Sequence, residues 1–360
     1  MNRLRIIALV ILLVAGCSPH SEYIEEGQYL QALGYDDDEG EIQLTAATTI
    51  FRPGEEMLPD TKTFSVSRGT LEDSLNQLQS ESSRSIEFSR MRVILFNEDL
   101  ATQEGIFNLL DTIQRNPMIE QEMEIVSTPA STQDILEGDY PFQQAVYTYL
   151  MDLIEYNQED DTHPPSSLHD FMYQYYAEGA DPYLTRMDKE EGLVRVTGVA
   201  LFQGDTYIDH LDIDNTRMFT YLVTDTEQGS FTIDVDKDQN VDIRHMSSHP
   251  DWSIDQEDEE INVSVDIEME GVMREVWNAD VYDTETIQQL EDIAAQQLEN
   301  QMGSLIQFFQ ENEIDPIGIG ERVGQNVRGI DIQQWEEEEY PDVDVDVNVD
   351  LTIQNTGAVE

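Results

Sequence analysis

Cysteine is nearly absent: the chain of 360 residues carries one, Cys17. A single thiol excludes an internal disulfide and any zinc cage built from several cysteines. Lysine is almost as scarce, with only Lys62, Lys189 and Lys237, and lysine plus arginine number 18 against 76 aspartates and glutamates. The formal net charge of −58 repels a phosphate backbone, so nucleic acid is excluded as a partner. The same deficit leaves no polybasic stretch to hold an anionic membrane surface. Beyond the first residues there is no apolar run of the roughly twenty residues that a bilayer span needs. There is no internal repeat of the kind that builds solenoids. A Gly-x-Ser-x-Gly elbow, a phosphate loop and a dinucleotide fingerprint are all missing. Paired acids are so common that no one pair stands out as a glycosidase dyad. No constellation supports an enzyme, and no catalytic, cofactor-binding or metal-binding residue is assigned.

What is present begins at the N-terminus. Arg3 and Arg5 precede an apolar run over residues 6–14, and Val14-Ala15-Gly16-Cys17 follows. A basic start, a short apolar core and small residues before a processing point make a secretory signal. The cysteine in that place makes it a bacterial lipobox, with cleavage after Gly16 and lipid attached to Cys17. Residues 1–16 are therefore read as the signal peptide, and residues 18–26 as a polar tether. With Arg3 and Arg5 gone, 16 basic residues face 76 acidic ones, a charge of −60. The acids are spread along the chain. A salt-adapted surface accounts for that, because in molar salt the Debye length falls to ~3 Å and self-repulsion fades. The inferred source is a salt-loving organism. Hydrophobic residues make up 39% of the chain, with 15 Tyr and 12 Phe, which is the composition of a folded protein rather than a disordered one.

The periodicity predicts an α+β fold of about three compact modules, with mixed sheets and packed helices. Residues 28–35 and 42–51 read as a hairpin around the acidic turn 36–40, which is expected to be solvated. A strand at Phe64 and Val66 precedes a helix capped by Thr70 with Leu71, Leu75 and Leu78 inward. Residues 86–96 read as one strand, ending in the continuously apolar Val93-Ile94-Leu95-Phe96 that suits burial on both faces. One helix is expected from Glu98 to Arg115, and a strand over 123–126 completes a βαβ unit. Helices follow over 142–156 and 168–176, separated by a charged linker at 157–165. The chain changes character near Gly192, which divides it into residues 17–192 and 193–360. The second part has strands over 193–202, 206–211, 230–235, 241–246 and 261–269 and a short helix over 217–223. Its longest element is an amphipathic helix of about 28 residues opening at Asp283 or Thr284, ~42 Å long. It ends at Asp315-Pro316-Ile317-Gly318-Ile319-Gly320. The terminal strand, 343–353, alternates apolar and acidic residues, and its acidic face is read as solvated.

Four groupings look like sites and are set aside. The run from Asp234 starts like a calcium loop but has Gln239 where Gly is needed and His245 where a bidentate Glu is needed. His245 and His249 have zinc-pair spacing, yet Pro250 disfavours a helix there, so both read as surface-loop residues. His163 and His169 read as exposed. Phe171, Tyr173, Tyr175 and Tyr176 read as core plus interface, with a ligand wall as the other reading.

The ordered pieces do carry a resemblance. After the lipobox come Ser82-Ser83-Arg84, Val93-Ile94-Leu95-Phe96-Asn97-Glu98-Asp99-Leu100-Ala101, Gly105-Ile106, and Leu110-Asp111-Thr112-Ile113-Gln114-Arg115. Later come Gly198-Val199-Ala200-Leu201-Phe202, Asp205, His210-Leu211, Asn215-Thr216-Arg217, the 315–320 motif, Trp335 and Asn355-Thr356-Gly357. This order resembles the spore germination lipoproteins of the Ger(x)C type, the C subunits of nutrient germinant receptors. The chain departs from the family in having Ser18-Pro19 where a tryptophan-acid pair often follows the lipid cysteine. Arg90 and Arg92 stand in the basic position before the 93–96 strand. The resemblance implies a non-enzymatic subunit without cofactors, partnered by membrane A and B subunits. It would be lipid-anchored to the outer face of the inner spore membrane. A solute-binding lipoprotein of a transporter is the alternative; that class has two similar α/β lobes.

Overall fold

The structure, a computed structural model, describes residues 28–51, 59–68, 71–117, 119–141, 144–161, 163–236, 239–257, 260–276 and 284–354. The Cys17 lipobox and the Asn355-Thr356-Gly357 motif lie outside the described residues. The expected hairpin is present as β1 (Gln28–Asp38) and β2 (Glu41–Phe51), antiparallel with Tyr35 opposite Leu44. Its turn is Glu39-Gly40, both at positive φ (54° and 87°), the twist a two-residue hairpin loop requires. The strand runs farther into the acidic stretch than the periodicity predicts, and Asp36 is buried rather than solvated. Its carboxylate accepts the Thr132 N–H at 2.7 Å and the Thr132 hydroxyl at 2.8 Å.

β3 (Pro59–Arg68) extends the hairpin, and α1 (Leu71–Glu81) packs beside it. The predicted 86–96 strand is two pieces. β4 (Ile86–Glu87) touches the start of β1, and β5 (Val93–Asn97) enters the sheet centre. β6 (Glu124–Thr128), β7 (Tyr183–Glu190), β8 (Leu193–Gln203) and β9 (Thr206–Leu211) complete the order β3-β2-β1-β5-β6-β7-β8-β9, with β4 off the path. The four central strands, β1, β5, β6 and β7, are parallel, with antiparallel strands on either side.

Burial of β5 on both faces follows from helices on both faces. Ile94 and Phe96 share a core with Leu100 of α2 (Glu98–Glu104), Leu110 of α3 (Phe107–Gln114) and Phe171 of α6 (Leu168–Tyr176). Val93 and Leu95 face the other way, toward Ile135 of α4 (Thr132–Leu136) and Leu150 of α5 (Val146–Glu159). The alternation of a strand's side chains between faces thus feeds two cores from one apolar run. α5 starts at Val146, later than the periodicity predicts. α4 and β7 were not legible: α4 is one turn long, and β7 interleaves Arg186, Asp188 and Lys189 with its apolar residues.

The turn of the β7–β8 hairpin is Glu191-Gly192, so the first sheet runs through residue 192. α7 (Ile213–Val223) then leads to the second sheet, of order β10 (Ser230–Asp236), β11 (Gln239–Glu257), β12 (Glu260–Val276) and β13 (Val345–Gln354). β11 continues well past Met246. His249 and Pro250 are therefore strand residues, not loop residues. Pairing with β10 reaches only to Arg244, so Pro250 sits where β11 has no ladder on that side, the place a strand tolerates proline.

α8 (Thr284–Glu311) has the predicted 28 residues and buries Leu290, Ala294, Leu298, Met302, Leu305 and Phe309 against this sheet. Glu291 and Glu299 reach from it to accept backbone N–H groups of Ile353 and Val349, at 2.7 and 3.1 Å, covering an edge strand that would otherwise present open donors. β13 alternates as predicted, with Val349, Leu351 and Ile353 buried and Asp346, Asp350 and Thr352 exposed. Two further helices, α9 (Ile319–Asn326) and α10 (Ile332–Glu338), follow α8 where the periodicity predicts only termination. Tyr183 of the first sheet meets Phe219 of α7 edge-on at 4.9 Å, and Phe219 meets Phe309 of α8 at 5.9 Å, so the two sheets share a core.

Candidate functional site

The motif residues that carry the resemblance turn out to be joints. At the carboxyl end of β5, Asn97 caps α2 by accepting the Asp99 N–H at 3.0 Å, while its amide donates to the Ala130 carbonyl at 3.2 Å beyond β6. Glu98 meets Arg186 of β7 at 2.7 Å, with both side chains nearly buried. Burial alone would lower the Arg186 pKa, but the hydrogen bond and charge of Glu98 outweigh it and the net shift is upward. The strand ends where an open parallel sheet commonly binds ligands are here occupied by this pairing.

Gly105 explains why α2 and α3 are two helices rather than the one expected. It sits at φ 68°, and a Cβ there would fall 2.4 Å from Asp205 Oδ2. Asp205, from the β8–β9 turn, accepts the Ile106 N–H on its carbonyl (3.1 Å) and the Phe107 N–H on its carboxylate (3.0 Å). The break is imposed from ninety-eight residues away, which local periodicity cannot show.

The 315–320 motif does more than end α8. Gly320 packs on Gly179 so closely that a Cβ on Gly179 would lie 2.3 Å from the Gly320 carbonyl carbon. The Glu321 N–H donates to the Gly179 carbonyl at 2.8 Å, and the Asp181 N–H to the Asp315 carbonyl at 2.9 Å. Asp181 returns the contact, accepting the Asp315 N–H at 2.9 Å and the Gly204 N–H at 2.8 Å. Asp315 accepts the Gly320 N–H on Oδ2 at 2.7 Å, while its buried Oδ1 has no hydrogen-bond partner among the described residues. Burial pushes the Asp315 carboxyl up to about 7, with Asp181 and Glu336 adding to the rise. Neither Gly179 nor Asp181 stood out in the sequence as a docking residue.

His163 corrects an expectation. It is buried, not exposed; its Nδ1 lies 2.8 Å from the Pro164 carbonyl, and burial lowers it to about 4. His169 is exposed as expected. His249 Nδ1 lies 2.6 Å from Asp225 Oδ1 at the surface. Among the described residues, no three His, Cys, Asp or Glu side chains converge as a metal site. The aromatic group divides: Phe171 is in the core, Tyr175 stacks on Phe107 at 4.2 Å, and Tyr173 and Tyr176 are more than half exposed. The Tyr173 hydroxyl donates to Glu321 of α9. A cleft of about 470 Å³ lies between His210-Leu211, Asn215 and one face of α8.

No helix among the described residues is long and apolar enough to cross a membrane. The family model for the spore germination protein N-terminal domain matches residues 20–189, and that for the spore germination B3/GerAC-like C-terminal domain matches residues 197–357. The chain is 24% identical over 364 positions to the spore germination protein GerQC of Bacillus cereus, spanning 100% of both chains. The crystal structure of the GerBC protein has the same fold, with a TM-score of 0.61 at 13% identity over 90% of this chain and 97% of that one. With two family segments in order over nearly its whole length, the chain belongs to the spore germination B3/GerAC-like family.

Proposed function

We propose that this protein is a non-enzymatic lipoprotein subunit of a nutrient germinant receptor, attached through lipid on Cys17. It works by contact with membrane A and B subunits at the outer face of the inner spore membrane. The observation that carries this reading is the pair of family segments in sequence, 20–189 and 197–357. The joints described above support it, because the motif residues hold elements together instead of converging on reacting atoms. Lipid supplies what the charge withholds: a chain near −60 gains nothing from an anionic surface, whereas two or more acyl chains hold a protein stably. The two similar lobes of a transporter's solute-binding lipoprotein have no counterpart in two sheets of unlike order.

Deleting the gene should abolish germination with at least one nutrient while sporulation stays normal, and the wild-type gene should restore it. Unchanged germination with every nutrient, in a strain lacking paralogues, would sink the receptor reading. Cys17→Ala should leave the precursor unprocessed by lipoprotein signal peptidase and fail to restore germination. An Ala variant that is processed, membrane-bound and active would refute the anchor.

A further inference from the structure

A cleft lies beside α8, at the end of β9 and the start of α7. Its floor is apolar, made by the buried Leu211 and Leu305 and the half-buried Phe308. Its walls carry the amides of Asn215, Asn300 and Gln301 and the hydroxyl of Ser304. Asn300, Gln301, Ser304, Leu305 and Phe308 share one face of α8 because they recur at steps of one, three and four. No hydrogen bond within the described protein engages the three amide side chains. Three other amides of the same helix are committed: Gln297 holds Asp234, Gln307 holds Glu311, and Gln310 holds Tyr340 and Val343; Gln288, Gln289 and Gln296 are exposed and lie outside the cleft. What sets Asn300 and Gln301 apart is their place beside the apolar floor, with Asn215 facing them across it.

Charge narrows the ligand class. One carboxylate, Asp209, lines the cleft, and it accepts the His210 N–H at 2.8 Å while lying 3.3 Å from the His210 ring. No lysine or arginine is among the lining residues, so nothing there would hold a carboxylate or a phosphate. An organic cation would find one carboxylate in the cleft, and that one is already engaged with His210. Side-chain amides offer donors and acceptors together, the match for hydroxyl groups that also do both. An apolar floor beside convergent polar groups is the usual make-up of a small-molecule site, and about 470 Å³ is within the usual size range.

We infer that this cleft binds an uncharged, hydroxyl-rich small molecule of monosaccharide size, with the Asn215, Asn300 and Gln301 amides on its hydroxyls and Phe308 against its C–H face. The inference goes beyond the receptor reading and does not rest on it, since binding is measured on the protein alone.

The test is calorimetric titration of the full-length protein in detergent with D-glucose, D-ribose and myo-inositol. L-alanine, citrate and putrescine serve as zwitterionic, anionic and cationic comparisons. Saturable binding of at least one polyol is expected, with none of the three charged compounds competing. Asn300→Ala and Gln301→Ala should each weaken it about five-fold, the worth of one hydrogen bond. Ser304→Leu, which fills the cleft, should abolish it, and Gln289→Ala, exposed on the same helix outside the cleft, should change nothing. Thermal unfolding of each variant establishes that it is folded. Absence of saturable polyol binding would overturn the inference. So would polyol binding that all three cleft variants leave intact, or a preference for the charged compounds.

Discussion

Single residues in this protein combine deep burial with acidity, and that has a consequence for pH. Asp315 is held by the Gly320 N–H, but its burial outweighs that hydrogen bond, and its folded pKa of about 7 stands above the ordinary 3.8. Between those values the unfolded chain has released the proton and the folded chain retains it, so stability falls as pH rises from about 4 to about 7. His163 acts in the opposite sense. Its folded value of about 4 is below the ordinary 6.5, so its contribution is complete above 6.5 and is lost as pH falls toward 4. The two slopes partly offset in the wild type, and Glu124 and Glu336, both raised to about 7 by burial, add to the first. The difference between wild type and Asp315→Asn isolates one group. The variant should gain relative stability as pH rises from about 4 to about 7, by at most ~1.4 kcal/mol per pH unit, and hold that gain above it. Urea unfolding of both proteins at several pH values checks this; a pH-independent difference would refute the assignment.

At the scale of elements, the joints decide the architecture more than the propensities do. α9 docks on the chain leaving α6 through two glycines in contact, and Gly179 also has φ 87°. Gly179→Ala therefore meets two penalties. A left-handed backbone costs ~1–2 kcal/mol for a residue with a Cβ, and the Cβ would overlap the Gly320 backbone at 2.3 Å. The expected result is a loss above about 2 kcal/mol and faster amide hydrogen exchange over Ile319–Asn326, with β5 and β6 still protected. Unchanged exchange in α9 would show that the contact does not position it. The α2–α3 break has the same logic. Asp205 captures the first N–H groups of α3 and leaves Gly105 as the residue able to make the bend.

For the whole molecule, charge sets the conditions of stability. A net charge of −58 repels itself in dilute buffer, and salt removes that repulsion by shortening the Debye length from ~10 Å at 0.1 M to ~3 Å at 1 M. The melting temperature should rise between 0.1 M and 2 M sodium chloride, and sodium sulfate and sodium chloride should agree at equal ionic strength if screening dominates. A melting temperature that falls with salt would show that specific ion pairs matter more than the summed charge. Exposed pairs such as Arg115–Asp111 and Arg195–Glu190 contribute little, whereas Glu98–Arg186, nearly buried, is sheltered from screening.

Sequence alone was enough for the α+β class, the β1–β2 hairpin, the βαβ unit around β5 and β6, the length of α8 and the alternation of β13. Each of these rests on local periodicity, and a helix or strand that buries one face writes its period into its own residues. The order of motifs was likewise legible and led to the family. Tertiary structure decided the rest. The division of α2 from α3 depends on Asp205, the burial of Asp36 on Thr132, and the docking of α9 on Gly179, all partners distant in the chain. His163 and Pro250 were misplaced because a charged or proline-bearing stretch reads as exposed loop until the neighbours that bury or pair it are known. The cleft was not legible at all: Asn215 and Asn300 are eighty-five positions apart, and only the packing of α8 beside the end of β9 and the start of α7 brings their amides to one surface.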